Sequence, residues 1–375
     1  MAGLTVEAVL ARSLRAHALV EPAASMDEAL VAAAGIYGSA PTSHLGLAAR
    51  LDGYAPASLE RARLEERSIL RVPGMRGSVF LAPRALAPAF MGLSRPGTVR
   101  RTLTGAGMAE TEQARLANLV ERALGDGSLS AREIRERLGD DDPGGPTMTV
   151  ALRGLAHEGR IVAAEPVGGE RATAYRYARM ADWAPELEPL GREEALAVMA
   201  PLWMRANGPA TIDDLAWWAG VTKREARSAL DAMAARPIEV EGLAGGQWAT
   251  DEVLEGLASA EVHGLVHLLP VWDAWLMARR ERGRLLDPAR RPFVVDKSGN
   301  VTNTITLDGR VVGTWDVDGQ VLLIHLFEDI SRESLEAAAE RTPVLHEWSE
   351  LREAAEPRPL DEGGQNAFRS PLRVR

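Results

Sequence analysis

Apolar positions at the start of the chain recur at helical spacing. Val6, Val9, Leu10, Leu14 and Leu19 fall on one side of a helix over Thr5–Leu19. Ser25-Met26-Asp27-Glu28 has the form of a capping box and opens a second helix through about Ile36. Pro41 breaks the pattern, and His44–Leu51 gives a third, short helix. Leu59, Ala62, Leu64 and Arg67 keep the helical period. Ser68–Val72 then turns to β-branched and apolar residues, Pro73-Gly74 supplies a turn, and Ser78–Leu81 is a return strand. Helix, strand, turn, strand is the second half of a winged helix. A linking helix over Ala82–Leu93 ends near Pro96-Gly97.

The same plan repeats twice. Helices are predicted over Glu110–Leu124, over 131–139 behind the capping run Ser128-Leu129-Ser130, and over 147–159. Strands over 160–165 and 172–180 flank a wing containing Gly168-Gly169. The third unit has helices over 191–208, 211–220 and 222–233, with a wing from 238–243 and 246–250. Trp217-Trp218 in that unit could stack on bases, but neighbouring aromatics on a helix point in different directions, which favours core packing for at least one. From 262 the pattern changes. Residues 263–270 read as a buried strand and Val271–Leu286 as a helix with a basic end. Gly299-Asn300, Asp308-Gly309 and Asp318-Gly319 then punctuate alternating strands, which predicts a small antiparallel sheet. Ser331–Glu353 reads as a helix, followed by a polar tail.

The expected fold is therefore α+β, mainly α, with three tandem winged-helix modules and a C-terminal antiparallel β-rich region. The expected boundaries are 1–97, 98–190, 191–260 and 261–354, with a disordered tail over 355–375.

Charge refines this picture. The chain of 375 residues carries a formal charge of −10, yet nine Arg stand against three Glu between Glu60 and Arg101. This basic island is either a phosphate-contacting surface or a solvated arginine face. The segment from Ala181 to Val262 has fifteen acids against six bases, which suits protein contacts better than DNA. There is no cysteine, so disulfides, thiolate chemistry and Cys-type zinc sites are excluded. Charges interrupt the apolar N-terminus and no run reaches membrane length, which points to a cytoplasmic protein without membrane contact.

Three stretches carry a family resemblance: RSILRVPGMRGSVFL, HLLPVWDAWLMARRERGRLLDP and ITLDGRVVGTW. They resemble the AlkZ/YcaQ-like winged-helix DNA glycosylases, bacterial enzymes acting on bulky or crosslinked alkylated purines, some of them self-resistance proteins of antibiotic producers. The resemblance extends over about residues 5–345. It implies tandem winged helices around a DNA channel, a monomer acting on damaged or alkylated double-stranded DNA, and no cofactor. The chain departs from the family at the Gln-x-Gln or Gln-x-Asp motif, where it reads Ile36-Tyr37-Gly38-Ser39-Ala40-Pro41. Phe80 likewise follows MRG where many members have histidine.

A glycosylase must stabilise an oxocarbenium-like sugar and orient water near it. Asp273, between Trp272 and Trp275, is the best carboxylate for that role; otherwise it is a helix N-terminal acid or an arginine's ion-pair partner. Tyr37 could stack on a base or bond water, or be a boundary aromatic. Ser39 is either its polar companion or a turn residue. Arg71, Arg76, Arg279, Arg280 and Arg310 are the expected phosphate contacts. His44, His263 and His267 lack metal-ligand spacing, and no metal is expected. Three functions follow: a monofunctional glycosylase of bulky N-alkylpurines, a non-catalytic lesion- or drug-binding resistance protein, or a winged-helix transcriptional regulator.

Overall fold

The computed structural model describes residues 4–39, 42–94, 96–168, 174–257, 261–340, 350–354, 357, 359–362 and 372. The chain is a mixed α/β protein that divides into two compact units. One comprises 1–37, 41–56 and 200–375, and the other 38–40 and 57–199. The chain's two ends make one body and the middle makes the other.

In the middle unit, the helix Pro56–Leu64 leads into an antiparallel hairpin of Ile69–Pro73 and Val79–Pro83 around a tight turn at Met75–Gly77. The Gly38 amide donates to the Val79 carbonyl at the hairpin's edge. No helix spans Ala82–Leu93, because the strand runs to Pro83 and the helix Ala87–Gly92 starts only after one further turn. The helices Glu110–Leu124, Ala131–Leu138 and Gly145–His157 then pack around Val120, Ile134, Met148 and Leu152. Ser130 caps the second of these through a capping box with Glu133. The strands Ile161–Pro166 and Tyr175–Arg179 pair antiparallel, with Ser128–Ser130 on the far side of the latter. Gly169 of the expected wing lies outside the described residues.

In the other unit, Thr5 caps the helix Val6–Ala16 and Ser25 caps Met26–Ala32. The second helix stops short of Ile36 because Ala34 and Gly35 take left-handed backbone conformations, at φ 51° and 106°. The helices Ile212–Ala219 and Lys223–Ala232 are joined through Gly220 at φ 69° and followed by the short hairpin Arg236–Ile238 and Gln247–Ala249.

The C-terminal sheet has five strands. Val266–Leu269, Thr304–Leu307, Arg310–Asp318 and Val321–Leu326 are antiparallel neighbours in that order. Glu350–Glu353 is a fifth strand, parallel to Val321–Leu326, where the sequence predicts the end of a helix. The helix itself covers Arg332–Glu340, and 341–349 lie outside the described residues, as does most of the expected tail. Leu268, Ile305, Val312, Trp315 and Ile324 form the core between sheet and helix. Gly309 is required at the Asp308-Gly309 turn, since its φ is 84° and a Cβ there would meet the Trp275 ring at 2.8 Å.

The expected helix over Val271–Leu286 is reduced to one turn, Ala274–Met277. The arginines after it explain why. Arg282 folds back and donates to the carbonyls of Leu276 and Gly299, at 2.9 and 3.1 Å. Arg284 donates to the Pro209 carbonyl and to Gln247 Oε1, at 2.8 and 2.9 Å. Arg282 thus satisfies the Leu276 carbonyl, which a continuous helix would have paired internally, while both arginines are drawn to acceptors outside this segment.

Candidate functional site

Asp273 and Tyr37, far apart in sequence, are linked through Trp272, which precedes Asp273 and stacks on Tyr37. Asp273 caps the turn Ala274–Met277, its Oδ1 accepting from the Trp275 amide at 2.9 Å. The same carboxylate receives both ends of the Arg50 guanidinium, Nη1 to Oδ2 at 3.0 Å and Nη2 to Oδ1 at 2.9 Å. Arg50 Nη1 also donates to the Gly46 carbonyl at 2.8 Å, so the helix Thr42–Ala48 holds the guanidinium in place. Arg50 is 0% and Asp273 2% exposed. Burial alone would raise the Asp273 pKa. The Arg50 charge, its hydrogen bonds and the Trp275 amide outweigh that effect and hold the carboxyl below its ordinary value.

The carboxylate is thus ionised, turned inward and committed to Arg50 and a backbone amide. It is the arginine's ion-pair partner, and the arginine is Arg50 rather than one of those following it in sequence.

Trp272, immediately before Asp273, has a left-handed backbone at φ 60°, unusual for a bulky residue. Its indole stacks on the Tyr37 ring with centroids 6.0 Å apart and planes 23° from parallel. Trp272 Nε1 donates to Asn300 Oδ1 at 2.9 Å, and the Val271 amide to Asn303 Oδ1 at 2.7 Å. Tyr37 is buried while Trp272 is half-exposed. The pair presents the edge of an aromatic stack beside a rigidly held loop. Ser39 is half-buried and belongs to the middle unit.

Behind the pair lies His17, fully buried, its Nε2 3.1 Å from Asn207 Oδ1 and its ring edge-on to Trp275 at 5.2 Å. Burial, then the Arg50 charge, lowers its pKa to about 3, so the ring is neutral. Neither His17 nor Asn207 was singled out by sequence reasoning, which has no signal for a buried neutral imidazole.

The expected phosphate contacts fare differently from one another. Arg279 is 1% exposed and faces inward, with burial and then Arg284 pushing its pKa well down. It presents no surface for a phosphate. Arg280 is its opposite: 64% of its side chain is exposed and its guanidinium lies 4.0 Å from Asp213. Arg310 is exposed and pairs with Glu7 at 3.1 Å. In the basic island, Arg71 is half-buried, donating to the Gly38 carbonyl at 2.6 Å and lying 4.0 Å above the Tyr175 ring. Arg63 and Arg67 donate to carbonyls of Ala164 and Trp183. Arg61, Arg84 and Arg100 pair with Glu66, Glu186 and Glu158. Much of the island is therefore structural. Arg76 sits in the turn Met75–Gly77 itself, half-buried at φ 57°.

Among the described residues no group of three or more His, Asp or Glu could hold a metal, and no helix is long and apolar enough to cross a membrane.

The family model "DNA glycosylase AlkZ-like" matches residues 28–356. An interstrand DNA cross-link repair glycosylase of Streptomyces sahachiroi is 28% identical over 220 residues, covering 57% of this chain and 56% of that protein. The solved structure of the Streptomyces sahachiroi DNA glycosylase AlkZ superposes with a TM-score of 0.77 at 20% identity, over 94% of this chain and 100% of that one. That likeness is one of fold.

Proposed function

The chain belongs to the AlkZ-like DNA glycosylase family, and from that membership we propose that it binds duplex DNA bearing a bulky or crosslinking alkyl adduct and acts on the modified purine. The observation carrying this reading is the strained, half-exposed Trp272 stacked on Tyr37. Aromatic faces held at a rigid loop suit the capture of a purine ring. Backbone strain is retained where the surrounding structure requires it, and here two asparagines and the Arg50–Asp273 pair supply the requirement. In this reading Trp272 touches the base with the buried Tyr37 stacked against it, while Asp273 is a positioning residue that fixes the loop carrying Trp272. Ser39 is the nearer polar group in sequence for holding water.

Three winged helices would deliver the DNA. The helix pairs Ala131–Leu138 with Gly145–His157 and Ile212–Ala219 with Lys223–Ala232, each followed by a hairpin, support two of them. The helix Pro56–Leu64 and its hairpin support the first. Arg280 and Arg310 are the exposed cations of the other unit that would meet phosphates.

A second reading has a specific observation in its favour. With Tyr37 and Ser39 in the motif positions, no carboxylate or amide stands there to polarise water, and the carboxylate of Asp273 is already engaged. The protein would then bind the lesion, or the drug that makes it, without cutting the glycosidic bond. One experiment separates the two: incubation with duplex DNA carrying a bulky N7-alkylguanine, followed by chromatography for free base and a gel shift for binding. Release of the base supports excision. A shift without release supports binding alone, and neither result overturns both.

A further inference from the structure

We propose that the cavity beside the wing turn Met75–Gly77 is a phosphate-binding pocket that takes one phosphodiester group of duplex DNA. The inference rests on the DNA-binding reading above for the source of the phosphate. The cavity, about 160 Å³, lies between that turn and the helices Pro96–Gly105 and Gly145–His157. Arg76 and Arg153 supply two cations to its wall and Thr98 and Thr102 two hydroxyls, one helical turn apart. None of its described lining residues is acidic. Thr98 and Thr102 belong to the first turns of a ten-residue helix, whose N-terminal dipole adds to the attraction for an anion.

His157 is the residue that asks for a ligand. It is 3% exposed, lines the cavity, and neither ring nitrogen has a hydrogen-bond partner. Buried polar atoms are almost always paired, so a ring with both nitrogens open marks a place where something else binds. Burial first, and the Arg153 charge second, lower its pKa to about 4, which leaves the ring neutral at pH 7 with one N–H to donate. An anion in the cavity reverses that balance and favours a protonated ring with two donors.

The turn is shaped to leave the space open. Gly77 has φ 76°, and a Cβ there would lie 3.5 Å from Arg153 Nη2 and 3.7 Å from His157 Cε1. Arg153 Nη2 donates to the Gly77 carbonyl at 3.1 Å, so the guanidinium is already tethered at the mouth with further N–H groups to offer. Two cations, hydroxyls, a neutral donor and a helix N-terminus around a space of this size match one phosphate better than any apolar ligand.

The test uses the full chain with histidine ring nitrogens labelled. Inorganic phosphate is titrated at constant ionic strength while the His157 resonances are followed, with sodium chloride as the matched control. Duplex DNA affinity is then measured against salt for the wild type, Arg153→Met and Thr102→Val, both at exposed positions. The expected result is a phosphate-dependent His157 shift, lost in Arg153→Met. DNA binding should weaken about 5- to 30-fold in Arg153→Met and less in Thr102→Val, with the salt slope of the former smaller by about 0.9, one phosphate contact. A His157 shift with DNA affinity and slope unchanged in both variants overturns DNA as the source and leaves a site for free phosphate. No shift, with wild-type DNA binding intact in both variants, overturns the pocket and leaves the DNA reading standing. A shift in a protein that binds no DNA at all overturns the DNA reading and keeps the pocket.

Discussion

Arg50 and Asp273 form a two-point ion pair from which water is excluded, joining positions 223 residues apart with contacts of 3.0 and 2.9 Å. Removing either partner strands a buried charge, which costs about 3–5 kcal/mol. Arg50→Ala and Asp273→Asn should each lower unfolding free energy by that order in a denaturant titration. Arg50→Met combined with Asp273→Leu should lose much less than the sum of the two single losses. Additive losses would mean the pair is not coupled as described.

Acid should destabilise both units through their buried histidines. His17 and His157 have pKa values lowered from 6.5 to about 3 and about 4. Each binds a proton in the unfolded chain before it does in the folded one. Their contribution to stability is therefore complete above pH 6.5 and falls as pH drops toward the folded values, by about 1.4 kcal/mol per pH unit for each ring. Asp273, whose pKa is lowered, adds a further loss below the usual carboxylate range. Unfolding free energies between pH 7.5 and 5 should show the slope, and His17→Gln should remove one proton's worth of it. An unchanged slope in that variant would place His17 in contact with solvent.

The regular elements were legible because local chemistry decides them. Ser25, Ser130, Thr211 and Thr222 cap the helices that their positions announce, and Asp308-Gly309 makes the hairpin turn that it predicts. The region after Trp275 was not legible. The stretch reads as a helix with a basic end and Arg279 as a phosphate contact, but Arg279, Arg282 and Arg284 are all buried, and the last two bond to carbonyls, one of them 75 residues away. No local pattern distinguishes an arginine aimed at solvent from one aimed at a distant carbonyl. Tyr37 and Asp273 could be named from the sequence, whereas Arg50 and the strained Trp272 are set by tertiary neighbours. The strand Glu350–Glu353 was missed for a similar reason, since its partner, Val321–Leu326, supplies the pairing.

Neighbouring arginines should behave in opposite ways. Arg280→Ala and Arg310→Ala should reduce the salt slope of DNA binding by about 0.9 each, with little change in stability, since both side chains are exposed. Arg279→Ala should destabilise the fold without changing the slope of the protein that remains folded. A slope change confined to Arg279 would contradict its burial.

The Trp272–Tyr37 stack gives a lesion-specific prediction. Stacking on a base contributes about 1–3 kcal/mol, so Trp272→Ala should weaken binding to adducted duplex by roughly one to two orders of magnitude relative to undamaged duplex. Fluorescence anisotropy with matched probes reads this directly. Equal weakening on both duplexes would remove base contact from the role of Trp272.

Excision of small adducts should be slow. Hydroxyls in place of a general base typically lower a rate by roughly 10²–10⁴, so 7-methylguanine release should trail that of a destabilised bulky cationic adduct by at least that order. Any abasic product should stay intact, because the only lysines, Lys223 and Lys297, lie outside the candidate site. Rapid 7-methylguanine release, or strand cleavage at the product, would reject this account of Tyr37 and Ser39.

The division of the chain has a consequence for its synthesis. Residues 38–40 and 57–199 form one compact unit, all of it synthesised before residue 200. The first 37 residues and 41–56 emerge earlier, yet they share a unit with residues beyond 200. Arg50 must wait for Asp273, and Leu45 for the strands of the C-terminal sheet. The segment made first is completed last, and for most of translation its apolar helix faces are exposed to whatever chaperone attends the nascent chain.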